Sequence, residues 1–194
     1  LKNNTEGAAE TLLIALNHLN KLQIEDNPII SLDGDNFYLE DILSKWNGEN
    51  CVYCFNDTSN EEVYSYVKLK NKRIIDIVEK QKISDYACTG AYAFNSWIEL
   101  KKYCQNIIDK KIKQKNEYYT STVIKNMIED NKNFVIKMVN IENYICLGTP
   151  LHVRLFCNNF PRINAQDHKQ MLEPKRYCFD LDNTLVTFPK ISGD

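Results

Sequence analysis

Short runs rich in β-branched and aromatic residues alternate along this chain with longer runs whose apolar residues recur at helical spacing. This alternation predicts an α/β fold, a sheet of strands covered by helices on both faces. The chain has 194 residues, of which 43% are hydrophobic, enough for one domain with its own core or for one domain and part of another.

The boundaries of the expected elements follow from the same pattern. We predict helices over residues 7–22, 39–47, 96–110, 120–130 and 149–160. We predict strands over residues 28–32, 51–55, 87–94, 134–139, 143–147 and 176–181. Two further β-rich runs, 61–69 and 72–80, are expected to form a hairpin. Thr120 or Ser121 is expected to cap the helix that begins near residue 120.

Charge and cysteine usage narrow the functional classes. Lys and Arg total 24 against 26 Asp and Glu, so we expect neither a nucleic-acid partner nor a membrane-surface patch. No apolar run reaches the ~18 residues of a membrane span. Seven scattered cysteines favour reduced thiols in a cytoplasm over a disulfide framework. Cys51 and Cys54 form a C-x-x-C, but in a strand their side chains would point to opposite faces, which argues against zinc.

Two carboxylates follow the first predicted strand, because Asp33 and Asp35 flank Gly34 in the turn DGD. Ligands of open α/β sheets bind beyond the carboxyl ends of strands. Mg²⁺ prefers hard oxygen ligands and usually bridges to phosphates. The turn is therefore a candidate Mg²⁺ site, and an ordinary acidic turn is the alternative.

Five short motifs stand in order along the chain. They are GAAET at 7–11, GD at 34–35, EK at 79–80, GAYAF at 90–94 and LGTP at 147–150. In this order they resemble the sugar-phosphate nucleotidyltransferases, which make nucleotide sugars from an NTP and a sugar 1-phosphate. The resemblance covers roughly residues 5–158 and implies a Rossmann-like nucleotidyltransferase sheet.

The resemblance implies how the nucleotide and metal would be held. Gly7 and Ala8 would offer backbone contacts to the nucleobase and ribose, and Asp35 would hold Mg²⁺ between the phosphates. The reaction would be in-line attack of a substrate phosphate on the α-phosphate of the NTP, with release of pyrophosphate. Catalysis would then rest on positioning and charge neutralisation, with Asp35 and Lys80 as the catalytic residues.

The acceptor side of the implied site involves four residues. Glu79 would accept hydrogen bonds from substrate hydroxyls, and Lys80 would neutralise a phosphate. Gly90 would let the acceptor lie against its strand. Glu117 is a further candidate for substrate contact, because the family often has an acid–Tyr pair before a Thr-rich helix start.

The sequence also departs from the family pattern. Cys146 stands where the family often has a metal-binding Asp, and a thiol is a poor Mg²⁺ ligand. Tyr144 replaces a Trp, and Gln81 replaces the Pro after EK. These changes put a hexose 1-phosphate substrate in question. The family's glycine-rich G-x-G-x-R loop, which cradles the triphosphate, is not found, and we expect the chain to begin after it.

The motif FDLDNTL at 179–185 resembles motif I of the haloacid dehalogenase-like (HAD) phosphatases. The resemblance implies that Asp180 is the phosphoryl-accepting nucleophile and Asp182 the general acid/base, both beside Mg²⁺. We therefore expect a nucleotidyltransferase domain over 1–158, incomplete at its N-terminus, a linker over 159–175, and the truncated start of a HAD-like domain over 176–194.

Together these features predict a bifunctional cytoplasmic parent protein in surface-polysaccharide or capsule precursor synthesis. It would activate a sugar 1-phosphate, or a similar phosphorylated small molecule, with an NTP. A cytidylyltransferase for a phosphorylated amino alcohol such as phosphocholine is one alternative. A non-catalytic nucleotide-sugar binding or regulatory module is another, favoured by Cys146. The nucleobase, the acceptor and the oligomeric state stay open at this stage.

Overall fold

The computed structural model describes residues 4–59 and 61–159. The predicted linker and HAD-like segment, with Asp180 and Asp182, lie outside these residues. The described chain divides into two compact units. The first comprises the residues up to Leu32 together with Asp41–Ile141, and the second comprises Asp33–Glu40 together with the residues from Glu142 onward.

A mixed sheet of six strands forms the centre of the first unit. Its strands are β1 (Ile29–Leu32), β3 (Cys51–Asn56), β4 (Ser65–Lys70), β5 (Arg73–Glu79), β6 (Tyr86–Phe94) and β7 (Val135–Met138), and the second unit holds the pair β2 (Asn36–Tyr38) and β8 (Tyr144–Cys146). The larger sheet has the order β1-β6-β3-β7-β5-β4, with an additional pairing between β6 and β4. The pair β3–β7 is parallel, and the remaining pairs are antiparallel.

The predicted hairpin is confirmed as β4 and β5. Its turn consists of Asn71 and Lys72, whose φ angles are 51° and 64°. Two successive residues with positive φ are typical of the two-residue turns whose twist matches that of the flanking strands.

Four α-helices are described, and all four were predicted. They are α1 (Ala8–Lys21), α2 (Trp97–Asp109), α3 (Thr120–Glu129) and α4 (Pro150–Asn159). The hydroxyl of Ser96 accepts a hydrogen bond from the Glu99 backbone N–H and so caps α2. The predicted cap of α3 is wrong, since its N-cap is Tyr119, and Thr120 and Ser121 lie inside the helix.

The predicted helix over 39–47 is wrong. The Asp41 carboxylate accepts hydrogen bonds from the backbone N–H groups of Leu43 and Ser44, at 3.0 and 3.1 Å. The Trp46 indole donates to the backbone oxygen of Glu49 at 2.8 Å. These local bonds give the backbone an alternative to a helix, and the segment forms bends and turns. Strand β2, which follows Asp35, was not predicted.

The core of the first unit lies between the sheet and helices α1, α2 and α3. Strands β3 and β6 are buried along nearly their whole length, so they read as continuous apolar runs. Cys51 and Cys54 are both buried free thiols, and burial raises the pKa of Cys51 to about 12. Among the residues described, no three His, Cys, Asp or Glu side chains group as a metal site. No described helix has the length and apolar content to cross a bilayer.

Candidate functional site

Strand β5 ends on the predicted acid–base pair. Glu79 is its last residue, and Lys80 follows with a φ of 50°, in the left-handed region. The backbone N–H of Lys80 donates to the backbone oxygen of Tyr64 at 2.8 Å, which fixes this turn. The left-handed residue interrupts the strand alternation that sends neighbouring side chains to opposite faces. Glu79 and Lys80 both contact the segment that begins α3.

The Glu79 carboxylate is half-buried and held on one side. Its Oε2 accepts a hydrogen bond from the Ser121 hydroxyl at 2.9 Å and a second from the Ser65 hydroxyl. Within residues 4–59 and 61–159, its Oε1 accepts no hydrogen bond. Hydrogen bonds to a carboxylate are stronger than those between neutral groups, so the side chain is well fixed with one oxygen available.

The Lys80 ammonium lies against Tyr119. Its Nζ donates to the Tyr119 hydroxyl at 3.3 Å and lies 5.3 Å from the ring centroid. This hydrogen bond is the main cause of a raised Lys80 pKa, and the nearby charges of Glu79 and Glu117 add to it. Burial raises the pKa of Tyr119, and a hydrogen bond with Glu117 acts in the same direction. Lys80 therefore remains a cation at neutral pH.

Glu117 closes a tight turn before α3. Its backbone N–H donates to the Gln114 oxygen at 2.8 Å, and the Gln114 N–H donates back at 3.0 Å. The side chain is exposed and lies beside Tyr119. The structure thus brings Glu79, Lys80 and Glu117 together around the start of α3.

The start of α1 reaches the same segment through Tyr118. The Ala9 backbone N–H donates to the Tyr118 oxygen, and the Tyr118 N–H donates to the Glu6 oxygen, both at 2.9 Å. Gly7 lies between these bonds with φ 139° and ψ 173°, a conformation that favours glycine. A Cβ on Gly7 would lie 2.5 Å from the Tyr118 oxygen. The Gly7 segment therefore lies against Tyr118, the residue directly before Tyr119, whose hydroxyl contacts Lys80.

Gly90 lies in a bulge of β6. The register passes from Val52–Tyr92 to Cys54–Cys88, so β6 has extra residues opposite β3. Gly90 has a φ of 82°, which glycine adopts without strain. The structure places it on a strand that pairs with β1, β3 and β4.

The candidate metal ligand Asp35 lies in the second unit beside Cys146. Their elements pair through β2 and β8, and the Leu147 backbone N–H donates to the Asp35 backbone oxygen at 2.6 Å. A Cβ built on Gly148 would lie 2.8 Å from Asp35 Oδ2 and 3.5 Å from Cys146 Sγ, so carboxylate and thiol converge beside this glycine. Burial raises the pKa of Cys146, and the charges of Asp35 and Asp33 raise it further.

These residues fit one kind of Mg²⁺ binding. The raised pKa keeps Cys146 a neutral thiol, which leaves the Asp35 carboxylate as the hard oxygen donor. Mg²⁺ in phosphate-transfer sites commonly takes one or two carboxylates and completes its shell with water and substrate phosphates. One protein carboxylate suits a cation that arrives bound to a nucleotide. It does not make a cage of several protein ligands.

Ser65, Ser121 and the hydroxyl of Tyr119 were not among the predicted site residues. Ser65 faces Glu79 because the two residues pair across the hairpin, and Ser121 reaches it from the first turn of α3. The hydroxyl-rich start of α3 was the signal in the sequence, and it was interpreted only as a helix cap.

The sequence matches no family model and no curated protein. Solved structures do share the fold. A nucleoside-diphosphate-sugar pyrophosphorylase from Vibrio cholerae is 21% identical with a TM-score of 0.70, over 80% of this chain and 66% of that one. A CTP:phosphocholine cytidylyltransferase from Streptococcus pneumoniae is 9% identical with a TM-score of 0.57, over 80% of this chain and 64% of that one.

An inositol-1-phosphate CTP transferase from T. maritima is 12% identical with a TM-score of 0.55, over 87% of this chain and 63% of that one. The chain therefore spans just under two thirds of the length of these proteins. At such identities the likeness shows the fold. The predicted α/β nucleotidyltransferase fold is confirmed.

Proposed function

We propose that this chain is part of a nucleotidyltransferase that joins an NTP to a sugar 1-phosphate, or to a similar phosphorylated small molecule, and releases pyrophosphate. The observation that carries the proposal is the convergence of Glu79, Lys80 and Glu117 on the start of α3, next to the Gly7 segment. Proteins described as a nucleoside-diphosphate-sugar pyrophosphorylase, an inositol-1-phosphate CTP transferase and a CTP:phosphocholine cytidylyltransferase share this fold. The last two names contain a phosphorylated small molecule, which supports that class of acceptor.

The geometry suggests a role for each group. The available Oε1 of Glu79 suits a hydroxyl donor on the acceptor molecule. The Lys80 ammonium suits a phosphate, whose negative charge increases the benefit of a fixed cation. Neither side chain acts as a nucleophile, because the acceptor phosphate itself attacks the NTP and the protein holds the two reactants in line.

Asp35 is proposed to bind the Mg²⁺ that the reaction requires. A bound Mg²⁺ would neutralise phosphate charge and orient the nucleotide. Asp35 would supply the protein ligand, with Cys146 as a neutral neighbour. The parent protein is proposed to carry a HAD-like phosphatase domain beginning near Asp180 and Asp182, and to act in the cytoplasm on surface-polysaccharide precursors.

Two other functions compete with this one. A cytidylyltransferase for phosphocholine is the second candidate, favoured by the shared fold with the S. pneumoniae enzyme. A binding module without catalysis is the third. It is favoured by Cys146, because a thiol replaces a hard metal ligand.

Calorimetric titration of the chain with each of the four NTPs, with and without Mg²⁺, tests the proposal. We expect one NTP to bind at least tenfold more tightly with Mg²⁺, and Asp35→Asn to remove that gain, a loss of about 1.4 kcal/mol or more. Glu129→Gln, which changes an exposed carboxylate at the end of α3, is the matched control and should bind as the wild type does. Binding that ignores both Mg²⁺ and Asp35→Asn would favour the non-catalytic module.

The acceptor is then identified by assays on the chain with its preferred NTP bound. Glucose 1-phosphate, inositol 1-phosphate and phosphocholine are supplied in turn, and pyrophosphate is measured. If phosphocholine is the only one of the three that releases pyrophosphate, the cytidylyltransferase replaces the sugar 1-phosphate enzyme as the proposed function.

A further inference from the structure

We infer that Ser65 and Ser121 are positioning residues, whose hydroxyls hold the Glu79 carboxylate in the orientation that receives the acceptor. The inference rests on the proposed function, because it assigns Glu79 to substrate hydroxyls. It adds two residues that no sequence motif indicated, one from β4 and one from α3.

Both hydroxyls donate to the same carboxylate oxygen. Ser121 reaches Oε2 of Glu79 at 2.9 Å, and Ser65 donates to that oxygen from the opposing strand. Two donors on one oxygen, approaching from different elements, restrict rotation about the terminal bond of Glu79. The other oxygen, Oε1, is left in a fixed direction with its acceptor capacity unused within the described residues.

Both donors are themselves immobilised. Ser65 is 6% exposed and Ser121 is 2% exposed. Their backbones belong to a paired strand and to the first turn of a helix. A side chain held by buried groups on regular elements is more precisely oriented than one held by a loop.

The location at the start of α3 adds an electrostatic reason. Tyr119, the N-cap, makes no side-chain capping bond, and the Thr122 backbone N–H donates to the Tyr119 backbone oxygen at 3.1 Å. The positive end of the helix dipole favours a carboxylate at this place. Because Lys80 contacts Tyr119, two residues before Ser121, the same few residues orient the anionic and the cationic member of the pair.

A purely structural role is the competing explanation, since the bonds also join α3 to the hairpin. The two roles differ in what a replacement restores. A positioning role requires a hydroxyl, whereas packing requires only a small side chain. Ser121→Ala keeps the packing and Ser121→Thr returns the hydroxyl, and threonine already occupies both neighbouring helix positions, Thr120 and Thr122.

The test is titration of the full chain, loaded with its NTP and Mg²⁺, with glucose 1-phosphate. We expect Ser121→Ala to weaken the binding of glucose 1-phosphate about tenfold, and Ser121→Thr to return it to within about threefold of the wild type. Ser65→Ala should act in the same direction. Thr122→Val removes a neighbouring hydroxyl that has no hydrogen-bond partner among the described residues, and it should leave binding unchanged.

A double-mutant cycle links the effect to Glu79. In a Glu79→Gln background, Ser121→Ala should weaken the binding of glucose 1-phosphate less than about threefold, because the carboxylate that Ser121 positions is already altered. Wild-type affinity in Ser121→Ala, or no recovery in Ser121→Thr, overturns the positioning role and leaves the proposed function standing. If the wild-type chain binds no NTP in the earlier titration, the proposed function fails, and this inference fails with it.

Discussion

Replacement of Gly7 by alanine gives the most direct test of how the start of α1 is built. Gly7 has φ 139° and ψ 173°, a region that is essentially restricted to glycine. Its Cα faces the backbone of Tyr118, and a Cβ would lie 2.5 Å from the oxygen and 2.6 Å from the nitrogen of that residue. These are backbone atoms, so no side-chain rotation can relieve the contact.

The cost has two parts. Forcing alanine into this conformation costs about 1–3 kcal/mol. Displacing Tyr118 also weakens the Ala9–Tyr118 and Tyr118–Glu6 backbone bonds, each worth about 0.5–1.5 kcal/mol. We therefore expect Gly7→Ala to lower the free energy of unfolding by about 2–6 kcal/mol.

Urea unfolding followed by tryptophan fluorescence measures this change, since Trp97 is 3% exposed in the core. Gly48→Ala is the matched control. Gly48 also has a positive φ, 85°, but a Cβ there would meet only the Pro28 side chain, at 3.4 Å. Its expected cost is the conformational one alone, about 1–2 kcal/mol. If Gly7→Ala is no more destabilising than Gly48→Ala, the close packing against Tyr118 is refuted.

Two further predictions concern buried polar groups. Thr122→Val should raise the free energy of unfolding by about 1 kcal/mol and the melting temperature by about 2–4 °C, because the Thr122 hydroxyl is buried without a partner in the described chain; a lower melting temperature would contradict this. Burial opposes ionisation of Asp57, but hydrogen bonds from Ser59 and Tyr66 and the charge of Lys82 outweigh it and lower the Asp57 pKa. Its stabilisation is therefore complete above the unfolded pKa of about 4 and lost as the pH falls below it. Urea unfolding at a series of pH values should show a loss of stability between about pH 5 and 2 in the wild type and a flatter profile in Asp57→Asn.

The spacing of apolar residues was sufficient to predict most of the helices and strands. The apolar spacing of residues 7–22 and 96–110 predicted α1 and α2, because both helices bury one face in the core. The hairpin was predictable because its strands are separated by a short polar turn. The helix expected over 39–47 fails for a local reason, since the Asp41 carboxylate binds backbone N–H groups that a helix would use.

The pairing of Ser65 with Glu79 was beyond a sequence argument. Counting back from the turn, where Lys70 pairs with Arg73, an uninterrupted ladder would place Ser65 opposite Val78. A bulge between Lys68 and Leu69 shifts the register by one residue and brings Ser65 opposite Glu79. Since a shift of one residue exchanges the faces of a strand, this bulge decides which side chain meets the carboxylate.

Residues that contact a substrate and residues that position those side chains differ in how easily a sequence reveals them. Glu79 and Lys80 stand in a short motif, as expected of two residues proposed to contact a substrate, which would impose both their chemistry and their adjacency. Ser121 has no such motif, because any hydroxyl brought to Oε2 by the first turn of α3 would serve, and that place is set by the packing of α3 on β5. The specificity of this site is therefore expected to depend as much on the register of one hairpin and the start of one helix as on the acid–base pair itself.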